Sequence, residues 1–150
     1  MYRILVQRAT RKSLAPTAQC LKKWAMQALR TITVSTAELT IRIVSEKEML
    51  NLNSTYRHKH YATNVLSFPF DMPSTIEMDI PLLGDIVICA EVVNAEAVTQ
   101  NKKVEAHWAH MIIHGVLHLC GFDHEIETDA TKMEAEEIRI LELLGFSNPY

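Results

Sequence analysis

Carboxylates are missing from the first 37 residues. The first acid is Glu38, and seven cations (Arg3, Arg8, Arg11, Lys12, Lys22, Lys23 and Arg30) precede it. The chain has 15 cations and 18 acids in all, so its net charge of −3 averages a basic third against an acidic remainder. Such asymmetry supplies either a basic surface suited to a polyanion or a set of solvated side chains. The N-terminus also lacks a sustained apolar stretch, which argues against a signal peptide and points to a cytoplasmic protein. The three cysteines, Cys20, Cys89 and Cys120, are odd in number and widely spaced, so free packing thiols are expected and not a disulfide framework. Residues 106–122 contain no Asp, Glu, Lys or Arg, but their four histidines argue against a membrane span. No internal repeat is visible, and 150 residues of ordinary apolar content suit one domain spanning 1–150.

What is present is concentrated in His114-Gly115-Val116-Leu117-His118-Leu119-Cys120-Gly121-Phe122-Asp123-His124. Helical residues four apart differ by about 40° around the axis, so His114 and His118 share a face. Gly121 can take the positive φ that ends a helix and turns the chain, bringing His124 toward the first two. Three imidazoles with one open position are the usual build of a catalytic zinc site, and His114, His118 and His124 are the candidate ligands. A lone histidine on an apolar face would be a core residue. Three at this spacing with a glycine at the turn point to metal.

The spacing resembles the longer zinc-peptidase pattern H-E-x-x-H-x-x-G-x-x-H, a zincin-like arrangement, with one departure. Where the peptidase carries its general-base glutamate, this chain has Gly115, which counts against peptidase chemistry. Glycine inside a helix costs about 1 kcal/mol relative to alanine and so needs a local reason. Room for a bulky anionic group beside the metal is the expected one, and Gly115→Glu should then weaken activity. Cys120 is read as packing, and Asp123 either orients a ligand imidazole or stabilises the turn. His107 and His110 are read as polar residues on the rim of the site, with a donor role behind the ligands as the alternative for His110. Trp108 and Met133 read as core.

Residues 3–9 read as a strand, and Pro16 opens a helix whose inner face carries Leu21, Trp24, Ala25, Ala28 and Leu29. Residues 39–44 alternate as a half-buried strand. Ser45 with Glu48 forms a capping box for a helix reaching about Tyr56. A polar loop follows at 57–64, then a short strand at 65–68, a connector marked by Pro69, Pro73 and Pro81, and a strand at 84–90. A long helical stretch from Glu91 breaks near Gln100-Asn101 and resumes through His118. The last helix, about 129–144, turns Met133, Ile138, Leu141 and Leu144 inward and ends at Gly145. Strands and helices mix without strict alternation, which gives an α+β domain with one small sheet and the histidine helix against it.

At these residues the chain resembles the YbeY family, metal-dependent endoribonucleases of bacterial ribosomal RNA maturation. The family motif H-G-x-L-H-L-x-G-y-D-H is met at 114–124, with Phe122 where tyrosine is common. Leu52-Asn53, Tyr56-Arg57, the run Thr63-Asn64-Val65-Leu66-Ser67-Phe68-Pro69, and Leu83-Gly84-Asp85-Ile86 resemble further family blocks. Asn64 stands where aspartate is usual. The resemblance implies a four-stranded α+β fold with its zinc ligands on a helix and the following turn. It also implies one Zn²⁺ per chain, hydrolysis of single-stranded RNA including the 3′ end of small-subunit ribosomal RNA, and the ribosome or its proteins as partners. Arg57 matches a functional arginine of the family and is the candidate catalytic cation beside His114. Its fork fits two phosphate oxygens and cannot deprotonate. Lys59 is a candidate phosphate contact. A zinc peptidase and a non-catalytic ribosome-assembly factor with structural zinc are the competing readings.

Overall fold

Alternating apolar residues pair into one mixed sheet of order β1-β2-β4-β3, built from β1 (Tyr2–Arg8), β2 (Ala37–Val44), β3 (Val65–Pro69) and β4 (Leu82–Cys89). The first three strands in that order run parallel, and β3 is antiparallel to β4, with Ser67 opposite Ile86. Five helices complete the fold: α1 (Ala18–Thr31), α2 (Glu46–Arg57), α3 (Ala90–Thr99), α4 (Val104–Leu119) and α5 (Glu127–Leu143). The computed structural model describes residues 1–11, 14–71 and 80–150, so Lys12 of the basic third and Pro73 of the connector lie outside it. The expected α+β architecture is the one observed.

Successive side chains of a strand point to opposite faces, and β4 uses both. Ile86 and Ile88 join Leu39, Ile41 and Ile43 of β2 in a core with α1, α4 and α5, while Val87 and Cys89 pack with Met49 of α2 on the other face. Eleven of the sixteen residues of α4 are buried, which makes it the central helix. Trp108, fully buried, donates its indole N–H to Asn94 Oδ1 at 2.7 Å, and Met133 is also core. The break between α3 and α4 falls where expected, with Asn101 at φ 54°.

Three local expectations need correction. Thr17, not Pro16, starts α1; its side chain accepts from the Cys20 N–H at 3.2 Å, and Pro16 precedes the cap. Ser45 caps α2 by accepting from the Glu48 N–H, but the Glu48 carboxylate binds the Arg42 guanidinium at 2.8 and 3.0 Å and does not close the capping box. On α5 the buried set is Met133, Glu137, Ile140 and Leu141, so a carboxylate lies inward and Ile138 only partly so.

The ends of α4 and α5 share one construction. After α4 the Gly121 N–H bonds to His118 O and the Phe122 N–H to Leu117 O, with Gly121 at φ 97°. After α5 the Gly145 N–H bonds to Glu142 O and the Phe146 N–H to Leu141 O, with Gly145 at φ 89°. Both are Schellman ends, in which a left-handed glycine lets the chain double back and the next apolar residue returns to the core. Phe146 meets Trp24 edge to face at 6.2 Å.

Candidate metal centre

The turn after α4 delivers His124 to the two helical histidines. Ring centroids of His114 and His118 lie 4.6 Å apart, His118 and His124 4.9 Å, and His114 and His124 5.4 Å. One nitrogen from each lies within 4.8 Å of the others, so the three expected ligands converge on a point that could hold a metal ion. His114 and His118 are partly buried and His124 is exposed, which leaves the site open on the His124 side.

A buried carboxylate stands behind His114. Glu137 of α5, 1% exposed, holds its Oε2 3.2 Å from His114 Nδ1 and 2.6 Å from His110 Nε2, while the Tyr150 hydroxyl donates to Oε1 at 2.8 Å. Burial would raise the Glu137 pKa, but hydrogen bonds from His110 and then His114 outweigh it and hold the group at about 2. The carboxylate therefore stays ionised and takes the proton-bearing Nδ1 of His114. That assignment leaves His114 Nε2 as a bare lone pair facing His118 Nε2 at 3.1 Å. With the His118 proton on Nδ1, a cation between the two nitrogens would take both lone pairs, and tetrahedral ligands at zinc distances sit about 3.3 Å apart. The donor set fits a divalent metal of the borderline class. Burial, then the neighbouring His114 and His124 imidazoles, pushes His118 down to about 4, so it stays neutral and able to ligate in mildly acidic solution.

Glu137 is the functional residue that the sequence reading missed. The role of orienting a ligand imidazole was considered for Asp123, but Asp123 Oδ1 accepts the backbone N–H of His124 at 2.7 Å and so fixes the turn. His107 and His110 are not rim residues either. They are 3% and 6% exposed; His110 is clamped to Glu137, and His107 Nε2 lies 2.9 Å from Glu96 Oε1. Cys120 is absent from the cluster, and burial pushes its thiol up to about 11, as suits packing. Gly115 does not make room at the metal. A Cβ there would meet Ile86 Cγ2 at 2.9 Å, and Gly115 O accepts from Ser67 Oγ at 3.2 Å, so the glycine allows α4 to approach β4 and β3 closely.

The three histidines floor a cleft of about 650 Å³, and its wall is the segment from the end of α2 into β3. Arg57 and Lys59 both line it. Arg57 Nη2 donates to Ser67 O at 3.0 Å, and its guanidinium lies 5.0 Å from the Phe68 ring centroid, so the exposed fork is held at the rim. His58 and His60 do not line the cleft. Asn64 Oδ1 accepts the Val65 N–H at 2.7 Å, and its amide donates to Glu96 at 3.1 and 3.2 Å. The amide thus serves a hydrogen bond that an ionised aspartate could not donate. The six basic N-terminal residues that the structure describes are elsewhere: β1, with Arg3 and Arg8, is the sheet edge opposite β3, and none of the six lines the cleft.

Fold and site together define a small α+β domain with a three-histidine cluster, able to hold a metal ion, at the base of an open cleft. Comparison with known proteins gives the family. The family model described as Endoribonuclease YbeY matches residues 6–145. The chain is 52% identical to the Endoribonuclease YbeY of Nitrosococcus oceani, over 97% of this chain and 94% of that protein. It is 56% identical to that of Pseudomonas syringae pv. syringae, over 91% of this chain and 81% of that protein. The solution structure of TM1509 from Thermotoga maritima superposes with a TM-score of 0.62 at 26% identity, covering 95% of this chain and 87% of that one. The chain belongs to the YbeY endoribonuclease family. Among the described residues, no helix is long and apolar enough to cross a membrane.

Proposed function

We propose that this chain is a zinc-dependent endoribonuclease that hydrolyses phosphodiesters of single-stranded RNA. In this reading it acts in the cytoplasm on ribosomal RNA, at the 3′ end of the small-subunit species, and in ribosome quality control. The ribosome or its proteins are its partners, and residues 1–150 work as one domain. The observation that carries the reading is the convergence of His114, His118 and His124 within 4.8 Å at the base of the cleft that Arg57 lines. The three imidazoles would hold one Zn²⁺, which when bound supplies Lewis acidity near neutral pH.

The remaining roles belong to the chain. His114 presents Nε2 to the site because Glu137 keeps the proton on Nδ1. Arg57, steadied by Ser67 O and Phe68, spans two phosphoryl oxygens and neutralises the charge that builds as the phosphate becomes five-coordinate. Lys59 engages a neighbouring phosphate as a point charge. A peptidase is disfavoured because position 115 faces Ile86 and not the metal. A closed structural zinc is disfavoured because Cys120 does not complete the ligand set.

The test is cleavage of a labelled single strand, and of the same sequence in a duplex, by protein of measured metal content beside His114→Ala. Single-strand cleavage that disappears with a chelator, returns with Zn²⁺ and is lost in His114→Ala is expected. Equal cleavage by both proteins, or none by the stoichiometric zinc form, overturns the reading. Chelator-sensitive hydrolysis of casein would favour the peptidase instead.

A further inference from the structure

Four consecutive alternate residues line the cleft wall: Arg57, Lys59, Tyr61 and Thr63. The segment that carries them is fixed to α2. Its Lys59 N–H bonds to Asn53 O at 3.2 Å, Ser54 Oγ donates to Lys59 O at 3.2 Å, and Asn53 Nδ2 donates to Tyr61 O at 2.8 Å. Asn53 is 1% exposed, so the backbone at Tyr61 is held by a buried amide while its side chain stands in the cleft.

Among the described residues the other three tyrosines are engaged. The Tyr2 hydroxyl donates to Val34 O, the Tyr150 hydroxyl donates to Glu137, and the Tyr56 ring packs edge to face on Phe68 at 5.4 Å. Tyr61 has no hydroxyl partner and no aromatic neighbour there, and it is 54% exposed. An aromatic ring on a fixed backbone, beside two cations and open to solvent, is the arrangement that receives an unstacked nucleobase. The opposite lip carries Asp123 and Glu125. Cations on one wall and carboxylates on the other leave one path for a polyanion, along residues 57–63.

We propose that Tyr61 is a nucleobase-stacking residue, so that a single strand of RNA runs along the 57–63 wall with phosphates at Arg57 and Lys59 and a base laid on the Tyr61 ring. The inference rests on the RNA-cleaving function proposed above and specifies how the strand is held. It also supplies a reason for single-strand preference: bases inside a duplex have no free face for the ring.

Binding is measured with a fluorescent 2′-O-methyl oligouridine, which cannot use its own 2′-hydroxyl as nucleophile, and with the same strand carrying abasic positions. Loss of one stacked base corresponds to roughly 5- to 150-fold in affinity. Tyr61→Ala is expected to weaken binding of the intact strand by that factor, Tyr61→Phe to retain it, and zinc content to stay unchanged in both. The abasic strand is expected to bind wild type as weakly as it binds Tyr61→Ala. Equal binding of the intact strand by wild type and Tyr61→Ala overturns the stacking role alone. No binding of either strand by wild type overturns it together with the single-stranded RNA reading.

Discussion

Two helix ends with the same geometry do opposite things to one histidine. The Gly121-Phe122 turn after α4 sends the chain to the solvent side of His114 and places the exposed His124 there. The Gly145-Phe146 turn after α5 sends it to the interior side, where the Tyr150 hydroxyl reaches Glu137. The front of His114 is an open cleft with one exposed candidate ligand on a turn; the back is a buried carboxylate with three donors. A metal site needs both, one side for access and the other to fix tautomer and ring orientation.

Removing a front ligand should have the largest effect. His118→Ala is expected to lower metal affinity by more than about 100-fold, beyond the range for residues behind a ligand, without loss of helical circular dichroism. Competition against a chromophoric chelator measures it. The back comes next: Glu137→Gln should weaken binding by roughly 10- to 100-fold and alter the visible spectrum of the cobalt-substituted protein. If its affinity and spectrum match wild type, the carboxylate is not what positions His114.

The back also has a pH signature. The folded-state pKa of Glu137 is depressed to about 2 from an ordinary 4.5, so its contribution to stability is full above 4.5 and is lost as pH falls toward 2. Urea unfolding of metal-free protein should show wild type and Glu137→Gln converging over that window. A constant gap between them would remove the charged carboxylate from the argument.

The smallest effects separate the two turns themselves. At Gly121 and Gly145 an added Cβ meets nothing within 4 Å, so alanine costs only backbone strain, about 1–2 kcal/mol at either position. Thermal unfolding of the apoprotein should therefore report similar losses. Metal affinity should fall more for Gly121→Ala, because its turn carries a ligand, than for Gly145→Ala, which touches the site only through Tyr150. Equal losses of affinity would erase the distinction between front and back.

The front was legible in the sequence and the back was not, for a physical reason. Ligands on one helix and its turn are close in the chain, so spacing and a glycine are enough to find His114, His118 and His124. Glu137 lies far from His114 in sequence and on a helix rich in exposed acids. One signal was available: Met133, Glu137 and Leu141 recur every four residues, which puts a carboxylate on the apolar stripe of α5. Choosing Ile138 as the inward residue concealed it. Gly115 misled because sequence says that a side chain is missing without saying which surface lies against the gap. The α+β class, the break at residues 100–101 and the cap at Ser45 were local and legible. The return of Tyr150 depends on how α5 packs and was not.

Synthesis of the chain is directional, and the metal centre comes late in it. All four strands are complete by Cys89, before the first ligand has been made; His114, His118, His124, Glu137 and Tyr150 then follow in that order. A nascent chain therefore carries the 57–63 wall, which on the proposed function faces RNA, well before the residues that would hold the metal. The centre gains its third ligand only with His124, and its brace only once Tyr150 has emerged. On the proposed function, the order of residues alone has the wall that holds a strand made before the metal site that cuts it.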